Sequence, residues 1–214
     1  MQSREFEILK RLKENYPEAK TALQHSNAFE LLIATILSAQ CTDERVNIVT
    51  KSLFSKYKKP EDYLNISIEE LEMEIYSTGF YKQKAKSIKK CCEIICSNYN
   101  GELPKNFEDL TSLPGVGRKT ASVVAGACFN IPTIPVDTHV KRISFLLGLT
   151  KSRNPDVIEE DLKKKFPEED WFFLSNALIQ HGRKICSARS PKCDKCFLND
   201  LCPSANLVYK IKKE

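Results

Sequence analysis

The chain has 214 residues and a mass of 24.4 kDa, with 42% hydrophobic and 29% charged residues, which suits one large or two small globular domains and argues against disorder. Its longest apolar stretch, Leu31 to Ala39, is interrupted by Thr35 and Ser38 and falls far short of the ~18 apolar residues of a membrane span. The charged start MQSREFEILK lacks the apolar core of an export signal, so a cytoplasmic protein with no membrane partner is expected.

In chain order, LLIATILSAQ (Leu31 to Gln40) reads as an apolar helix. Stripes at helical spacing follow: Val46, Val49, Leu53 and Tyr57; Ile68, Leu71 and Ile75; Ala85, Ile88, Cys92 and Ile95; Ala121, Val124, Ala125 and Cys128; Ile158, Leu162 and Phe166. Ser67 with Glu70 fits a capping box, and Asn154 before Pro155 fits an N-cap followed by proline in the first helical position. With no sustained alternating run and no Asn-Gly or Asp-Gly hairpin between such runs, the fold class is all-α, with about ten short helices. The two prolines of NIPTIP (Asn130 to Pro135) force extended backbone and mark a seam between two helical domains.

Charge is unevenly spread. Glu61 to Ile75 holds six acidic residues and no basic one, a −6 segment inside a +5 chain that leaves +11 elsewhere. Basic residues cluster at Lys82, Lys84, Lys86, Lys89 and Lys90, and again at Arg183, Lys184, Arg189, Lys192 and Lys195. The first cluster reads as a solvated helix face; a polyanion such as nucleic acid is the sharper alternative, to be decided by chemistry elsewhere.

Nine cysteines in a reducing compartment are core residues, metal ligands or reactive thiols. Cys92 and Cys128 lie on apolar stripes, and Cys41, Cys91 and Cys96 flank apolar helical sequence, so these five read as buried small hydrophobes. Cys186, Cys193, Cys196 and Cys202 differ: they form a C-x6-C-x2-C-x5-C pattern within 17 residues. A single CxxC flanked by two solitary cysteines suits four thiolates around a [4Fe–4S] cubane better than the paired CxxC knuckles of a zinc ribbon, with zinc the competing reading. His25 and His139 are remote from this run and His181 lies outside it, so no histidine ligand is expected. The spacer carries Arg189 and Lys192, and a metal centre that pins a basic loop builds a rigid phosphate contact.

Two of the seven glycines fall together in Leu113-Pro114-Gly115-Val116-Gly117, between a short helical segment at Phe107 to Ser112 and an amphipathic helix from Arg118 onward. Glycines bring backbone N–H groups close to an anion, and a helix start adds its dipole. Asp137 follows Pro135-Val136 and precedes a stripe through Val140, Ile143 and Leu147, the position of an N-cap.

LPGVGRKTASVV (Leu113 to Val124), PTIPVDTHVKR (Pro132 to Arg142), LLIATILSAQ and the four-cysteine spacing together resemble the endonuclease III branch of the helix-hairpin-helix DNA glycosylases, over nearly the whole chain. The resemblance implies a six-helix domain with the hairpin at residues 22–132 and a helical iron–sulfur domain from residues 1–21 plus 133–214, with DNA across the cleft between them. It implies Lys119 as nucleophile and Asp137 as the essential carboxylate, and a [4Fe–4S] cluster on the four cysteines. Gln40 matches the residue that fills the hole left by a flipped base. Phe80 stands where the family commonly has a leucine wedge, a departure that affects opposite-base preference. Leu113, Gly115, Val116, Gly117, Arg118, His139, Arg189 and Lys192 are the further DNA-facing positions. The implied partner is double-stranded DNA with oxidised pyrimidines or abasic sites, met by a monomeric glycosylase/AP lyase. The helix dipole and partial burial would both favour the free amine of Lys119. Monofunctional adenine glycosylases share the cysteine loop but lack this lysine. A DNA-docking module needs no Lys119 with Asp137, and an electron carrier needs no hairpin.

Overall fold

A computed structural model describes residues 3–205. Its helices are α1 (Arg4–Asn15), α2 (Ala28–Leu37), α3 (Asp43–Lys56), α4 (Pro60–Asn65), α5 (Ile68–Ile75), α6 (Tyr81–Tyr99), α7 (Phe107–Ser112), α8 (Arg118–Cys128), α9 (Thr138–Leu146), α10 (Pro155–Lys163) and α11 (Trp171–Lys184), and no strand occurs among the described residues. The chain divides into two compact units, Thr21–Ile131 and the two chain ends, Met1–Lys20 with Pro132–Glu214. No helix among the described residues is long and apolar enough to cross a membrane.

The Thr21–Ile131 unit is built around α2. Residues Phe29 to Leu37 are buried on every side of it, as expected of a helix that is apolar all round, and α3, α6 and α8 pack against it. The stripes read from the sequence supply the rest of this core, from Val46 and Leu53 on α3 to Val124 and Ala125 on α8. Extended backbone at Ile66 and the Ser67 cap divide the acidic stretch into α4 and α5. The Ser67 hydroxyl accepts the Glu70 amide at 3.0 Å, while the Glu70 carboxylate accepts the Tyr57 hydroxyl at 2.8 Å. Only the serine half of the expected capping box is therefore made, because the buried Tyr57 hydroxyl claims the glutamate.

In the unit of the two chain ends, α11 packs on α9 and α1, and α10 on α9, around Ile8, Leu12, Val140, Ile143, Leu162 and Leu178. The α9–α11 approach needs Gly182, where a Cβ would come within 2.7 Å of His139 Nδ1 and Ile143 Cδ1. Asn154 caps α10 with Pro155 behind it.

Two sequence readings are corrected. Of the five cysteines read as buried hydrophobes, Cys91 and Cys92 are buried, whereas Cys41, between α2 and α3, and Cys96 and Cys128, toward the ends of α6 and α8, are half-buried. The Lys82–Lys90 cluster is not one solvated face. Lys82, Lys86 and Lys90 are exposed, but Lys84 is buried and Lys89 reaches back to the carbonyls of Leu64 and Ile66.

Candidate functional site

The hairpin between α7 and α8 has an apolar underside and an open crest. The Leu113 and Val116 side chains are 2% and 4% exposed, and the Val116 amide donates to Leu113 O at 3.0 Å, so these two residues build the turn rather than present side chains outward. The two glycines play different parts. Gly115 has φ +81, and a Cβ there would lie 2.8 Å from Ser87 Cβ, so the fold itself demands glycine; Gly117 has φ −82 and open space around a Cβ. Gly117 is also the N-cap of α8 and supplies no capping side chain, which leaves the first amides of α8 aimed outward with the helix dipole behind them. Arg118 is exposed over the Phe107 ring, 5.5 Å from its centroid. Lys119 follows in the first turn and is exposed. The partial burial expected of its amine is not supplied by the surrounding side chains, because the crest of the hairpin stands clear of the core.

Asp137 caps α9: its Oδ1 accepts the Val140 amide at 2.8 Å, and the residue is half-buried. One carboxylate oxygen thus has a structural task that fixes the orientation of the other. His139, half-buried in the first turn of α9, has Nδ1 3.4 Å from Arg142 Nη2 and lies against Gly182.

Gln40 and Phe80 share an unusual backbone. Both are exposed and both are non-glycine residues in the left-handed region, with φ of 54° and 49°, a conformation that costs an L-residue roughly 1–2 kcal/mol. Gln40 ends the turn after α2, and Phe80, 66% exposed, is the N-cap of α6 directly after Gly79, itself at φ 71. Strain held at two exposed tips points to use there rather than to packing.

The four cysteines line one cavity, walled by Ile143 and Leu146 of α9, by Leu147 and by Ile185. Burial pushes the Cys196 thiol up to about 11 and raises those of Cys186 and Cys202, so thiolates in these surroundings call for a cationic partner. The donor set fits an iron–sulfur group: four thiols, an apolar wall, and N–H groups near the sulfurs. Arg142 Nη1 lies 3.7 Å from Cys186 Sγ, and His181 Nε2 lies 3.5 Å from Cys196 Sγ with its Nδ1 at 3.2 Å from the Tyr16 hydroxyl.

The basic spacer is braced at both ends. The Lys192 amide donates to Ile185 O at 3.0 Å, and Ser187 and Ser190 close a turn between them. This leaves Arg189 and Lys192 exposed on a fixed loop. Arg142 and His181 were missed as partners of the sulfurs, although Arg142 lies in the PTIPVDTHVKR segment. Lys84 was missed for want of a side assignment on α6.

The description "HhH-GPD superfamily base excision DNA repair protein" matches residues 33–168, and "Iron-sulfur binding domain of endonuclease III" matches residues 186–202, so an iron–sulfur cluster is the group the cysteine cavity serves. The endonuclease III of Bacillus subtilis (strain 168) is 48% identical over 195 residues, covering 91% of this chain and 89% of its own. The chain is similar to a solved non-covalent endonuclease III–DNA complex with a TM-score of 0.93 and 43% identity, over 98% of this chain and 100% of that one. A trapped endonuclease III–DNA covalent intermediate, an estranged-adenine complex, gives a TM-score of 0.92 and 43% identity over the same shares. Likeness of this extent in both sequence and fold means that the chain belongs to the endonuclease III family of HhH-GPD base excision DNA repair proteins.

Proposed function

We propose that this protein is a bifunctional DNA glycosylase and AP lyase that removes oxidised pyrimidines from double-stranded DNA, with Lys119 as nucleophile and Asp137 as the carboxylate that supports its attack. The target base leaves the stack first, because its glycosidic bond is out of reach inside the duplex. Lys119 Nζ forms a bond to C1′ as the C1′–N bond breaks and the base departs with a proton. The sugar ring opens to an imine, a proton leaves C2′, and the C3′–O bond breaks, cutting the strand on the 3′ side of the lesion. Hydrolysis of the imine returns the amine. The Asp137 carboxylate is read as stabilising the positive charge that develops on the sugar in the first step. Abasic sites enter the same sequence at the imine.

The observation that carries this reading is Lys119, an exposed amine in the first turn of α8 immediately after the glycine hairpin. Gln40 is read as filling the vacated space and Phe80 as the wedge beside the lesion. The α8 amides, Arg118, His139 and the Arg189–Lys192 loop are read as the DNA-facing positions, and the protein as acting as a monomer in the cytoplasm. For the cysteine cavity the reading is a [4Fe–4S] cluster bound by Cys186, Cys193, Cys196 and Cys202, which supplies a rigid anchor for the basic loop. The C-x6-C-x2-C-x5-C spacing, a single CxxC flanked by two solitary cysteines, supports it over zinc.

Cleavage of a panel of duplexes tests the substrate class. Strands containing thymine glycol or an abasic site are cut, and the undamaged strand is not. Cutting of the abasic duplex with none of the thymine glycol duplex would reduce the protein to a lyase. The purified protein is expected to hold about four iron atoms per chain; stoichiometric zinc in their place overturns the cluster.

A further inference from the structure

We propose that Lys84 is a positioning residue that ties the Gln40 tip to the Phe80 tip, so that both enter the helical stack as one unit. This rests on the reading of Gln40 and Phe80 as the inserting residues. Lys84 lies on the first turn of α6 and is 5% exposed. Its ammonium donates to two backbone carbonyls, Leu37 O at 2.8 Å and Thr78 O at 2.9 Å. Among the described residues no carboxylate pairs with it.

Those carbonyls are not arbitrary. Leu37 is the last residue of α2 and Thr78 the last of the 3-10 turn Tyr76–Thr78, where carbonyls have no helical partner and the helix dipole is negative. Gln40 lies three residues beyond Leu37, and Phe80 two beyond Thr78, each at positive φ. One charge therefore caps the stems of both strained tips. Lys84 also closes the α6 side, since its own amide donates to Phe80 O at 3.1 Å.

A buried ammonium is a costly way to cap two carbonyls, since desolvation opposes the charge. Burial lowers the pKa of Lys84, with Cys41 opposing that shift. Ordinary caps or water would satisfy each end separately at less cost, but neither would connect them. Lys84 binds backbone and touches neither inserting side chain through these bonds, so its role is to hold geometry rather than to meet DNA.

The test uses the full-length holoprotein in single-turnover assays on a thymine glycol duplex and on a duplex with a preformed abasic site. Lys84→Met keeps the stem and removes the donor. Base removal is expected to fall by about tenfold or more, and strand cutting at the abasic site by less than about threefold, because a site without a base needs no extrusion. Lys84→Arg, which restores charge and donors, is expected to recover base removal to within about threefold of wild type. Thermal melting checks folding, and if Lys84→Met does not fold, Lys84→Gln carries the same comparison. An equal fall in both rates, or a fall in neither, overturns the positioning role. Fluorescence of 2-aminopurine beside a tetrahydrofuran site reports insertion independently. If Gln40→Ala and Phe80→Ala leave that signal at the wild-type level, the insertion reading itself fails and takes the role of Lys84 with it. If both lower it and Lys84→Met does not, only the role of Lys84 fails.

Discussion

Asp137 Oδ1 accepts the Val140 amide at 2.8 Å, so the carboxylate assigned to the chemistry is also the N-cap of α9. Asparagine caps a helix about as well as aspartate, whereas alanine costs about 1 kcal/mol. Asp137→Asn is therefore expected to melt like wild type while base removal falls by about a hundredfold or more, since only the charge is lost. Asp137→Ala should lose both. Equal denaturation midpoints with equal rates for wild type and Asp137→Asn would reduce Asp137 to a cap.

The two hairpin glycines should separate folding from binding. Gly115→Ala must place a Cβ 2.8 Å from Ser87 Cβ at φ +81, and is expected to destabilise by about 1–3 kcal/mol. Gly117→Ala meets no atom within 4 Å and loses only the preference of an N-cap for glycine over alanine, so in urea denaturation it should cost about 1 kcal/mol or less. Its methyl group stands where a phosphate would approach the α8 amides, so anisotropy should show weaker binding to an abasic-analogue duplex. A Gly117→Ala protein with undiminished DNA affinity would remove the anion role of this helix start.

Phe80 offers a rarer combination. Its φ of 49° is easier for glycine than for phenylalanine, so Phe80→Gly should cost no stability by differential scanning calorimetry and yet remove base-paired lesions about tenfold or more slowly, given ~1–3 kcal/mol for a stacked ring. Phe80→Leu, which replaces the ring with an aliphatic wedge, should keep the rate and change the preference among opposite bases. Loss of stability in Phe80→Gly would mean that the ring serves packing.

The cluster loop is stitched to α1 by arginines. Arg11 donates to Phe197 O at 2.8 Å and to Asp200 Oδ1 at 2.6 Å, and Arg4 donates to Leu201 O at 2.8 Å and to Leu147 O. A guanidinium bonds a backbone carbonyl more strongly than a neutral donor does. Arg4→Met and Arg11→Met are expected to release iron to a chelator several times faster than wild type, followed by absorbance near ~400 nm. Unchanged release would place the stability of the loop in the cluster alone.

Much of this was legible in the chain. The stripes through Val46–Leu53, Ala85–Ile95 and Ala121–Ala125 form the core, and Ser67, Asn154 and Asp137 cap the helices that their positions suggested, because caps and periodicity are local. What failed was whatever depends on which side of a helix meets a neighbour. Lys84 stood in a run of five lysines and looked solvated, although it precedes Ile88 of the buried stripe by one helical turn and so shares its face. Arg142 and His181 approach the sulfurs from two other helices, α9 and α11, and no spacing within the cysteine run could reveal them. The left-handed backbone at Gln40 and Phe80 carries no sequence mark either, since neither is a glycine.

The central claim is that the amine of Lys119 forms a bond to the sugar, and borohydride tests it directly by reducing the imine to a stable amine. Wild-type protein incubated with an abasic-site duplex and borohydride is expected to give a covalent protein–DNA species in denaturing gels, and Lys119→Gln none. Equal trapping by Lys119→Gln, or none by the folded wild type, would contradict the account.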